Sequence, residues 1–150
     1  MSDIPVINPI TKAELIWIEQ QLRAANEFAV QYFPNCANQP LSLASLDLAF
    51  KCWLDAGDNN SFTVNNIVNA IGVAFGNSLV ENAGFSWVIS SDQYGTDLAI
   101  LALPGQGDVL VYPANFVAKR LEKKETLFLE TAFMRILNQT KELEARLSIS

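Results

Sequence analysis

The chain has 150 residues, half of them apolar, and a formal net charge of −6. That balance excludes a disordered segment, which needs low hydropathy with high charge. It also argues against a nucleic-acid or anionic-membrane binder, because phosphate recognition wants a basic surface. No apolar run reaches the roughly 18 residues of a membrane span. The N-terminal Met-Ser-Asp-Ile-Pro carries no Lys or Arg before Lys12, unlike the basic opening of a secretory signal. The expectation is a single cytoplasmic domain over residues 1–150.

The first helix is predicted from about Thr11. Thr11 and Glu14 form a capping-box pair, and Leu15, Ile18, Leu22, Ala25 and Ala29 follow at helical spacing. Pro34 ends it, since the residue before proline avoids the helical region. A second helix is predicted over Ser42–Ala56, with Leu43, Leu46, Phe50, Trp53 and Leu54 inward and Gly57 as its stop. Cys52 falls inside this apolar pattern and is read as a small buried hydrophobe. Cys36 and Cys52 are both read as reduced. A third helix is predicted from Thr63 to Asn82, ended by Gly84. Gly72 and Gly76 stand four apart within it, and each costs about 1 kcal/mol against alanine. The compensation expected is a close backbone approach inside the fold.

The period then changes. Phe85, Trp87 and Ile89 alternate with Ser86, Val88 and Ser90, as in a strand. Leu98–Leu103 reads as a central strand covered on both faces, and Val109–Tyr112 as a third. The turns Asp92–Thr96 and Pro104–Asp108 are short enough for an antiparallel meander. A short helix is predicted over Ala114–Lys123 and a long one over Thr126–Leu147. In the long helix Leu129, Phe133, Ile136, Thr140, Leu143 and Leu147 form a heptad-like seam, read as packing on the protein's own body. The expected class is α+β: three N-terminal helices, a three-stranded antiparallel meander, then a short and a long helix covering the sheet.

The chemistry is bounded by absence. The chain contains no histidine. That removes Ser–His–Asp and Cys–His catalysis and the commonest metal ligand. Two cysteines alone cannot build a tetrahedral zinc site. There is no phosphate loop and no nucleophile elbow. We therefore expect no cofactor, no metal and no enzyme activity. Carboxylates are the one open route, through Asp92, Asp97 and Glu81, although Asp at a turn entry usually bonds its own backbone. Asp55, Asp58 and Asn60 could hold a hard cation, but the twelve-residue calcium loop with its closing Glu is absent. Lys119-Arg120 with Lys123-Lys124 is the one dense basic cluster, interrupted by Glu122 and Glu125. It reads as a solvated helix face or, alternatively, as a phosphate-binding patch.

The segments Gly72-x-x-x-Gly76-x-x-Leu79, Gly84-Phe85-x-Trp87-Val88, Asp92-x-Tyr94-Gly95-Thr96-Asp97-Leu98-Ala99, Tyr112-Pro113 and Val117-x-Lys119-Arg120-Leu121 occur in this order. Together they resemble a bacterial family catalogued only as a domain of unknown function. The resemblance implies a bacterial, cytoplasmic α+β domain in which these positions define the fold. It carries over no functional residue, because the family has no established activity.

Charge distribution supplies the functional expectation. Residues 1–60 and 61–118 each carry a net −4, and residues 119–150 carry +2. No Lys or Arg occurs in 61–118. A basic protein partner fits this body, met by Asp55, Asp58, Glu81, Asp92, Tyr94, Asp97 and Asp108. The reading is a non-catalytic protein-binding module, in its sharpest form an immunity protein that neutralises a bacterial toxin. The alternatives are a secretion chaperone, homodimeric through the C-terminal seam, and, last, a carboxylate-dependent enzyme.

Overall fold

The computed structural model describes residues 4–57 and 62–149. Its elements run β1 (Val6–Pro9), α1 (Lys12–Tyr32), a 3₁₀ turn at Pro34–Cys36, α2 (Leu43–Ala56), α3 (Val64–Ala83), β2 (Ser86–Asp92), β3 (Gly95–Ala102), β4 (Val109–Val111), α4 (Pro113–Glu122) and α5 (Leu129–Ile149). The class is α+β, and the described residues form five α-helices and one antiparallel sheet in the order β1-β2-β3-β4.

The sheet has four strands where the sequence predicts three. The extra strand is β1, whose Val6–Pro9 pairs with Ser91–Val88 of β2. Four residues ending in proline carry no strand periodicity of their own. Proline is tolerated there because β1 lies at the sheet's edge, where one row of backbone groups needs no partner. The rest of the meander follows expectation. Trp87 pairs with Ile100, Val88 with Ala99, and Ile100 with Val111.

The helices form a layer on one side of this sheet. α3 packs against β2 and β3, α4 packs on α3, and α5 packs on α2 and α3. The direct cover on the sheet is therefore α3 rather than the two C-terminal helices. Ile100, Ala102 and Trp87 face this layer and join the core of Phe28, Leu46, Phe50, Ile71, Phe75 and Leu79. On the other sheet face Val88, Ala99 and Leu101 form a small cluster with Ile7, Leu110 and Tyr112. Among the described residues β3 is thus covered by helices on one side only. Its second face is sheltered by neighbouring strands and by Tyr112, whose hydroxyl lies 2.9 Å from Ser90 Oγ.

α3 carries the two glycines, and the structure identifies what approaches them. A β-carbon on Gly72 would lie 2.8 Å from Ala114 Cα, in the first turn of α4. One on Gly76 would lie 2.6 Å from the Trp87 ring and 2.8 Å from the Pro113 ring. The expected close approach is real, and its partners are α4 and the Trp87 side chain.

Local signals set most helix ends. The Thr11 N–H donates to Glu14 Oε1 at 2.7 Å, and this bond holds the Glu14 carboxyl below its ordinary value. Gly57 and Gly84 end α2 and α3 at φ +65° and +77°, a region that L side chains rarely adopt. Two expectations shift. Leu15 is half exposed, so the buried stripe of α1 begins at Ile18. α5 begins at Leu129, three residues after the predicted start, because Thr126–Phe128 lie in the connection from α4. The C-terminal seam does pack on the protein's own body. Phe133 and Ile136 join the core edge, and Leu143 and Leu147 lie over Gly107.

The cysteine expectation is corrected for one residue. Both thiols are free, Cys36 is buried, and Cys52 is exposed. Cys52 is the neighbour of Trp53 in sequence, and only Trp53 falls on the inward stripe of α2. In the folded protein a thiol reagent should modify one cysteine quickly, and Cys52→Ser should remove that reaction while changing stability by no more than about 0.5 kcal/mol. Two fast-reacting thiols in native buffer would contradict the assignment.

Candidate functional site

The predicted acidic residues separate into several places. Asp55 lies near the end of α2 and holds Lys51 at 2.9 Å, an exposed pair one helical turn apart. Asp58 lies outside the described residues. Asp92 and Tyr94 form the β2–β3 hairpin tip, where Asp92 Oδ1 accepts the Tyr94 N–H at 2.8 Å and Tyr94 is 88% exposed. Asp97 sits two pairs up the same hairpin, opposite Ser90. Asp108 closes the β3–β4 loop, where its Oδ1 accepts the Gly105 N–H at 2.7 Å. Asp92 and Asp108 therefore perform the turn chemistry that their positions allow.

Glu81 is different. It lines a groove of about 930 Å³ between α1, the segment leading into α2, α3 and the start of α5. Leu22, Leu46, Ala74 and Phe133 form the apolar floor, and Met134 on the lip is half exposed. Asn26, Asn77, Ser78 and Asn82 add amide and hydroxyl groups. Among the described residues the charged lining is Glu27, Glu81 and Glu130 against Arg23 alone. An apolar floor with a rim that is acidic by three to one suits a ligand with both an apolar face and cations.

Two placements explain the groove. Asn77 is held by the sheet, because the Trp87 indole N–H donates to Asn77 Oδ1 at 3.3 Å. Glu130 and Phe133 are placed by the start of α5, which is fixed by a residue 82 positions earlier in the chain. Asp47 Oδ1 accepts the Leu129 N–H at 2.8 Å, and Asp47 Oδ2 accepts the Glu130 N–H at 3.2 Å. A buried carboxylate on α2 thus caps α5 from across the fold. Burial pushes the Asp47 carboxyl above its ordinary value, while the two N–H groups pull it down by less. Sequence reasoning missed Asp47, whose only signal was an acid on the apolar stripe between Leu46 and Phe50.

The enzymatic constellation does not assemble in one place. Glu81 is in the groove, whereas Asp92 and Asp97 are in the hairpin. Among the described residues no three His, Cys, Asp or Glu side chains converge as a metal site. None of the described helices is long and apolar enough to cross a membrane.

The geometry defines a two-layer α+β domain with a grooved helical face. The family described as "Domain of unknown function (DUF3806)" matches residues 53–133, just over half of the chain, and the protein belongs to it. The matched span contains the run from Ile71 to Leu121 that carries the resemblance noted in the sequence. No curated protein and no solved structure matches this chain.

Proposed function

We propose that this chain is a non-catalytic protein-binding module that takes a basic, amphipathic segment of a partner protein into the groove between α1, α3 and α5. The observation that carries the reading is the groove itself, with its apolar floor and the rim of Glu27, Glu81 and Glu130. The absence of Lys and Arg from residues 61–118 supports it, since no basic side chain of that segment competes with an incoming cation. The binding surface shifts accordingly from the turn acids to the groove, and Glu81 is the one residue common to both.

In its specific form the proposal is an immunity protein whose partner is a basic toxin. An acidic surface steers such a partner and speeds association at low salt. The test is co-expression with the product of the neighbouring gene, followed by growth assay and sizing chromatography. Rescue of growth and a co-eluting complex are expected. The double variant Glu27→Lys/Glu81→Lys changes two exposed groups, so the fold should persist while affinity falls at least about tenfold, mainly through a slower on-rate. A complex of unchanged affinity in that variant would remove the groove as the docking site. Absence of both rescue and complex would remove the immunity reading.

A further inference from the structure

The basic cluster of the sequence remains unexplained by the groove, and the fold gives it a setting. Between α4 and α5 lies a second cleft of about 420 Å³. Arg120 and Lys123 enter it from α4 and its end, and Arg135 enters from α5. Thr126 and Thr131 add hydroxyl groups to the same wall. Among the described residues the one acid in the lining is Glu125, so the cleft they form is basic by three to one. In sequence Arg135 lies fifteen residues from Arg120 and is no part of the cluster. The packing of α5 brings it there.

The cations differ in their commitments. The Arg120 guanidinium lies 4.4 Å over the Phe116 ring, and its Nε lies 3.3 Å from Glu125 Oε2. Ring and carboxylate together hold the guanidinium plane in one place and leave its terminal N–H donors uncommitted to that pair. Among the described residues Lys123 and Arg135 form no ion pair. The first two N–H groups of α5 are taken by Asp47 from the other side. The positive field of the cleft therefore comes from side chains rather than from the helix end.

We propose that this cleft binds the phosphoryl group of a small phosphorylated molecule, with Arg120 as the fixed fork and Lys123 and Arg135 closing on the anion. Guanidinium donors match phosphate oxygens in pairs, and a cleft of this size holds a phosphoryl or diphosphoryl group with a small substituent. The site is independent of the groove, because a different face of α5 lines it.

Amide NMR titration of the full chain with inorganic pyrophosphate tests the assignment, with sodium chloride at matched ionic strength as control. Saturable shifts confined to residues 116–135 are expected. Arg135→Gln alters an exposed side chain and should weaken pyrophosphate binding about tenfold with an unchanged spectrum elsewhere, and Lys123→Gln should weaken it too. Equal shifts with chloride, or unaltered affinity in both variants, would overturn the proposal. Tighter binding of a single-stranded oligonucleotide than of pyrophosphate would overturn the small-molecule assignment.

Discussion

Gly72→Ala is expected to destabilise the protein by about 2 kcal/mol, although alanine is the better helix former. The opposing effects are both large enough to matter. Replacing a mid-helix glycine returns about 1 kcal/mol of helix propensity. The new methyl, however, would sit 2.8 Å from Ala114 Cα and 3.0 Å from Ala114 N. These are backbone atoms in the first turn of α4, so no rotamer change relieves them. α4 must move as a body, and because rigid backbone has to yield, the overpacking cost falls at the upper end of the usual range, about 3 kcal/mol. Pro113 also rests against Gly76, so displacement of α4 disturbs a second contact. In a domain of 150 residues the net loss corresponds to a fall in Tm of roughly 4–8 °C. The check is thermal unfolding of Gly72→Ala beside an alanine substitution at exposed Asn65 of the same helix, which should be neutral or stabilising. A rise in Tm for Gly72→Ala would mean that the α3–α4 approach is looser than the geometry states.

Asp47→Ala is expected to cost about 2 kcal/mol as well, by a different route. It leaves the Leu129 and Glu130 N–H groups without their acceptor at a helix start. A buried donor left unpaired costs about 1–3 kcal/mol, and loss of a cap costs about 0.5–2 kcal/mol. The alanine variant also escapes the desolvation of the carboxylate, which keeps the total below the sum. Asp47→Asn retains one acceptor oxygen and should lose about half as much. The pH dependence separates the two substitutions from a generic core defect. Because burial raises the Asp47 carboxyl above 3.8, its titration contributes stability that is fully present below the unfolded value. That contribution is lost as pH rises through the folded value. The stability of the native protein relative to Asp47→Asn should therefore be greatest below about pH 4 and smaller at pH 7. Denaturant midpoints across that range provide the measurement. An advantage that grows with pH would show that the two N–H groups outweigh burial. The groove reports the same event, since loss of the cap loosens the start of α5 and with it Glu130 and Phe133.

Much of the fold was legible because its signals are local. The Thr11–Glu14 cap, the stops at Gly57 and Gly84, and the change of period at Phe85 act within one or two turns of chain. Each survives translation into structure almost unchanged. β1 was invisible because its reason to be extended lies in β2, not in Val6–Pro9. The exposed Cys52 escaped for a related reason. Phe50, Trp53 and Leu54 lie close to it in sequence, but the inward stripe of α2 passes through Trp53.

The site was less legible than the fold. Counting acids identified Glu81 but ranked it with turn residues whose carboxylates serve their own backbone. Glu27, Glu130 and Arg23 meet Glu81 only after three helices pack, and they are separated by up to about a hundred residues in the chain. Arg135 and Arg120 show the same limit at the basic cleft.

The amino-acid sequence by itself determined the α+β class, most helix ends, the meander and the acidic balance, because capping, turn chemistry and periodicity act over a few residues. It also determined that histidine chemistry is closed to this protein. Tertiary packing decided the fourth strand, the partners of Gly72 and Gly76, the capping of α5 by Asp47 and the two charged recesses. Those features depend on contacts between distant segments, whose geometry no local pattern encodes.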